Sequence, residues 1–218
     1  MMRWDNLFDD LESQLDHELA ADDIDVRAEE ERLRLARLSL RDRVVRVQES
    51  GSGNRGAGNP GSGNSGPGSS RAAPLRIIAR DGSRLTVIPA NVGKDWIAGD
   101  LIDPADRRVP CLLPLDAIAG VSLAREQLAD SLEFHPVTDR QRVSLADRLT
   151  FAFALRDLCR RRVTIELILE GERMHGTIDR VGRDHLDLAV HDAGVPRRES
   201  AVQDYRIVPF SRILLVTV

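Results

Sequence analysis

The sequence predicts an α+β chain in which two tandem small β-barrel units are preceded and separated by α-helices. Two observations carry that expectation: a block of turn and strand signals recurs at matched spacing, and helical apolar periodicity precedes each block. The 218 residues leave room for two units, each near the lower size for a self-sufficient core. An apolar share of 42% and a charged share of 30% exclude wholesale disorder. A net charge of −4 is not the strongly basic footprint of a dedicated nucleic-acid binder.

Residues 1–48 read as acidic amphipathic helices. Trp4, Leu7, Phe8, Leu11, Leu15 and Leu19 follow helical spacing opposite a run of carboxylates, and residues 1–25 hold nine acidic side chains against one Arg. That segment carries −8, so the remainder sums to +4. Over about 26–48 a second helical stretch carries Glu30 four residues before Arg34, with Leu33, Leu35, Leu38, Leu40, Val44 and Val45 as its apolar set. These helices either dock on the barrels or engage a partner.

Residues 49–74 form a low-complexity linker whose centre, residues 51–70, is four varied copies of a five-residue Gly-x-Gly unit. It contains literal Gly-x-Gly-x-x-Gly matches. They lack the preceding strand and following helix that place a dinucleotide phosphate, so no cofactor is expected from them.

The first barrel unit spans 75–122, a helical segment spans 123–161, and the second unit spans 162–218. Asp81-Gly82-Ser83-Arg84-Leu85 and Glu170-Gly171-Glu172-Arg173-Met174 are matching turn signals, each followed after eleven positions by Val92-Gly93 or Val181-Gly182. Leu113-Pro114-Leu115 then corresponds to Val208-Pro209-Phe210. The first interval from acidic residue to proline is 33 and the second 39, so six extra residues belong to the second unit, around Asp192–Asp204. Ser144 and Asp147 open a helix with a capping pattern, and Leu145, Leu149, Ala152, Phe153 and Leu158 supply its stripe; Ser39-Leu40-Arg41-Asp42 is the counterpart before the first unit, so the repeating unit is helix plus strands.

Glu170-Gly171, Gly176, Ile178, Val181, Asp184, Leu186 and Leu188 together resemble the first segment of Sm-like proteins, which place a bent five-stranded barrel after a helix. Other SH3-like barrels share this pattern, and the first unit carries Val87 in place of the barrel glycine. Sm-like RNA binders place an Asn in the loop before the position of Leu186 and an Arg-Gly pair in the second segment. Here Gly182-Arg183-Asp184-His185 and Val208-Pro209-Phe210 stand there, so RNA recognition does not carry over. The opening residues Met2–Glu12 are similar to proteins of high-GC Gram-positive bacteria, some labelled Fis-family transcriptional regulators. Fis-type regulators end in a helix-turn-helix, whereas Ile207–Val216 reads as strand.

No catalytic constellation announces itself, and the expectation is a non-enzymatic, cytoplasmic interaction or scaffold protein without cofactor, metal or membrane association. Cys111 and Cys159 lack metal or disulfide spacing and read as small buried apolar groups. His185, Asp187 and His191 share strand parity, which suits either a metal or a solvated face. Protein-interaction candidates are Trp4, Leu7, Phe8, Leu11 and Trp96; Trp96 falls on the parity opposite Ile97, so if Ile97 is core it points outward and is either covered by the other barrel or a helix or serves as an interaction anchor. Nucleic-acid candidates for the alternative, a regulator, are Arg156, Arg160, Arg161, Arg162, Arg197 and Arg198. The first four also read as cations complementing a helix C-terminus.

Overall fold

A computed structural model describes residues 26–53, 73–132 and 145–218. The stripe containing Trp4, Leu7, Phe8 and Leu11, most of the glycine-rich repeat and the Ser144 cap lie outside the described residues. The described residues divide into two units, one up to residue 40 and the other from residue 41 onward. In the first, α1 occupies residues 26–36, with Glu31 paired to Arg34 and Glu29 to Arg32 on its surface. The helical stretch expected over about 26–48 is interrupted: turn bonds from Arg37 N–H to Arg34 O and from Leu38 N–H to Leu35 O end α1, and α2 (Leu40–Gly53) begins after Ser39, where the capping pattern places a helix start.

The second unit is mixed α+β and is organised by one ten-stranded antiparallel sheet. Its strands are β1 (Leu75–Ala79), β2 (Arg84–Val92), β3 (Trp96–Ile102), β4 (Arg108–Pro114), β5 (Ile118–Ser122), β6 (Thr164–Leu169), β7 (Glu172–Val181), β8 (His185–Val190), β9 (Asp204–Pro209) and β10 (Ile213–Thr217). They lie in the order β5-β1-β2-β3-β4-β10-β6-β7-β8-β9. No ladder among the described residues joins β5 to β4 or β10 to β9, so pairing closes neither half on itself. The two halves meet as neighbours in one open sheet, through β4 and β10.

The two halves share their local geometry. Gly82 and Gly171 take φ of 83° and 82° in the β1–β2 and β6–β7 turns, the left-handed conformation glycine adopts without a Cβ clash. Val87 faces Leu101 as Gly176 faces Val190, and Ile97 faces Leu113 as Leu186 faces Val208. A bulge lies between Pro89 and Asn91 in β2 and between Ile178 and Arg180 in β7. Each long strand bends there, since an extra residue opposes one partner. The connections that differ are 103–107 and 191–203, so the extra residues of the second half lie between β8 and β9.

Burial follows the alternation. Leu75, Ile77 and Ala79 turn inward while Arg76 and Ile78 are exposed. One core gathers Val44 and Val47 of α2 with Leu75, Ile77, Val87, Ile97 and Leu113; the other gathers Phe151 and Leu155 with Ile165, Leu167, Ile178, Leu186 and Leu188. All of β10 is buried and serves both: Leu214 and Leu215 belong to the first core, Ile213 and Val216 to the second. The helical segment between the halves contributes α3 (Arg125–Leu132), α4 (Leu145–Arg148) and α5 (Phe151–Arg161). No described helix is long and apolar enough to cross a membrane.

Candidate interaction surfaces

The turn between β2 and β3 clamps the break between α4 and α5. Lys94 N–H donates to Leu149 O at 3.0 Å, the Trp96 indole Nε1 donates to the same carbonyl at 2.9 Å, and Asp95 Oδ1 accepts the Phe151 N–H at 2.7 Å. Asp95 thus caps α5 from another element, satisfying one of the amides that a helix start leaves open. Thr150 stands at the N-cap without a side-chain bond. The stripe expected to run unbroken from Leu145 is divided here, because the cap is supplied by a residue more than fifty positions earlier in the chain.

Trp96 therefore does not project from the surface. It is only 8% exposed, packed in the second core, and Gly93 lies so close beneath its ring that a Cβ there would meet Nε1 at 2.2 Å. Its outer edge instead helps line a groove of about 460 Å³ with Ala98, Leu112, Leu149, Phe153 and Val218. Phe153 is the outlier: α5 buries Phe151 and Leu155, yet Phe153 is 51% exposed at the groove's lip. Sequence reading placed Phe153 in the buried stripe. The α5 start at Phe151 turns it outward, since residues two apart on a helix do not share a face.

Four of the six arginine candidates are drawn into ion pairs. Arg160 and Arg161 both reach Asp157 at 2.6 and 2.7 Å, and Arg156 donates to Gly182 O at 3.2 Å. Arg162 takes a left-handed φ of 55° after the last turn of α5. It meets Asp179 at 3.1 Å, and Arg197 grips the same carboxylate through Nε at 2.7 Å and Nη2 at 2.6 Å. Asp179 is the extra residue of the β7 bulge, which is why its side chain leaves the strand's alternation to reach both. The Arg197 hydrogen bonds hold its carboxyl below the usual carboxylate range, with the charges of Arg197 and Arg162 adding to the effect. Asp179 was not singled out in the sequence, where a bulge leaves no periodic mark. Arg198 is exposed beside this cluster.

His185 and His191 do not converge. His185 Nδ1 lies 2.8 Å from Asp184 Oδ1 at the surface, whereas His191 lies beyond the end of β8 and is 2% exposed. His191 Nδ1 faces Asp192 O at 3.0 Å and so carries the proton, which leaves Nε2 to accept from the Thr177 hydroxyl at 2.9 Å. Strand parity placed both histidines on one face, and the chain's departure from β8 separates them. Among the described residues no group of three His, Cys, Asp or Glu side chains is placed to hold a metal. Burial pushes the Cys111 thiol up to about 11, so it stays protonated and unreactive near neutrality. Cys159 is half-buried, its thiol 3.4 Å from Asp179 O. No family model, curated protein or solved structure matches the chain.

Proposed function

We propose that the chain is a non-enzymatic interaction or scaffold protein built on two tandem Sm-like or SH3-like units, and that it docks a protein partner in the groove beside α5. The observation that carries this reading is Phe153, a large aromatic side chain 51% exposed over an apolar groove of about 460 Å³. An exposed aromatic beside an apolar concavity is the arrangement from which interface anchors are made. The tandem reading is supported by the matched turns, bulges and strand registers of the two halves. A photo-crosslinking residue placed at position 153 is expected to capture one defined protein in its native cells, and Phe153→Asp is expected to abolish co-purification of that protein. Equal capture from a control position on an exposed polar face would overturn the reading.

A nucleic-acid-binding regulator remains the second reading, resting on Arg156, Arg160, Arg161, Arg162, Arg197 and Arg198. Four of these already share Asp157 or Asp179, so a phosphate must compete with carboxylates at 2.6 to 3.1 Å. Binding to mixed RNA and DNA fragments that falls steeply with salt and disappears in an Arg160–Arg162 alanine variant would favour it.

A further inference from the structure

We propose, resting on the docking role of the groove beside α5, that its occupant is a peptide segment with an apolar side chain flanked by arginine or lysine. Two elements supply most of the lining. α5 contributes Phe153 and Asp157, one turn apart, and β3 contributes Ala98 and Asp100, two residues apart on one face. Leu112 and Leu149 add apolar surface between them in composition. Helix and strand each set one carboxylate beside apolar surface, and among the described residues no Arg, Lys or His lines the groove.

The two carboxylates are not equivalent. Asp157 shares its oxygens with Arg160 and Arg161, whose side chains are largely exposed, so solvent screens that pairing. Asp100 is half-buried in β3, facing Pro110 of β4, and no ion pair among the described residues engages it. An apolar side chain entering the groove strips water from Asp100, and a cation on the same segment restores a partner. Arg and Lys suit this position because their apolar stems lie along an apolar surface while the charge stays at the rim. Phe153, 51% exposed at the lip, offers its ring face to the same cation. Like charges brought together across an interface are unfavourable, which disfavours a phosphate backbone and strongly acidic segments such as residues 1–25, with their charge of −8.

Selection of a random displayed-peptide library on the full chain, with counter-selection on Phe153→Asp, tests the assignment. The sequences retained are expected to join an apolar residue to Arg or Lys within a few positions. A synthetic peptide of the retained consensus, followed by fluorescence anisotropy, is expected to bind Asp100→Asn about fivefold more weakly than the parent, and the difference should close as salt rises. Asp100→Lys should deepen the loss, while circular dichroism and the melting curve check that both variants fold. Retained sequences without basic bias, or rich in Asp and Glu as residues 1–25 are, would overturn the assignment and leave the groove a docking site. Self-association of the parent that vanishes in Phe153→Asp would overturn it in favour of a second copy. Failure to retain any sequence would overturn both the assignment and the docking role.

Discussion

At the scale of single residues, two close contacts set what the chain tolerates. Gly93 sits under the Trp96 indole, where a Cβ would lie 2.2 Å from Nε1. Gly93→Ala is expected to cost about 1–3 kcal/mol by forcing the ring off its bond to Leu149, read by denaturant titration and a red shift in tryptophan emission. Asp179 offers a pH test. Its folded carboxyl is depressed, so the stabilisation it brings is present above the unfolded value of about 3.9 and is lost as pH falls through the lower folded value. Asp179→Asn should thus destabilise the protein near neutrality, and the gap from the parent should narrow on acidification below about pH 4. Most of the effect belongs to Arg197, because the Arg162 side chain is largely exposed and its pairing is screened. A gap that stays constant into acid would contradict the assignment.

Among the elements, α5 depends most on a distant residue. Its first amide is satisfied by Asp95, in the turn between β2 and β3. Asp95→Ala is expected to cost about 1 kcal/mol, and hydrogen exchange should quicken first at the amides of residues 151–155. The helix's face was legible in part: Leu149 and Leu158 of the expected stripe pack against the second core, but Phe153 is exposed, and the buried Phe151 and Leu155 stood outside that stripe. Periodicity reports spacing along a helix but not its first residue, and a shift in the start rotates every side chain. The start of α2 at Leu40 was legible in the Ser39-to-Asp42 capping pattern, whereas the end of α1 at residue 36 was not, since Arg37 and Leu38 hold no glycine or proline to signal it.

For the molecule as a whole, β10 is the joint between two cores. Leu215 is fully buried in the first and Val216 in the second, one residue apart on opposite faces. Leu215→Ala is expected to cost about 2–5 kcal/mol and to lower one cooperative transition shared by both halves, followed by circular dichroism and tryptophan fluorescence together. Two separated transitions would mean that the halves are independent. The sequence alone determined the mixed α and β content, the inward Leu186 and Leu188 of β8, and the paired turns at Gly82 and Gly171, because strand alternation and turn chemistry are local. Only the tertiary structure decided that the strands run on as one open sheet through β4 and β10, that Asp179 gathers two arginines, and that Trp96 is covered while Phe153 and Ile207 are not. Those outcomes depend on which surfaces meet across long separations in the chain, and a residue's neighbours in space are not written in its neighbours along the sequence.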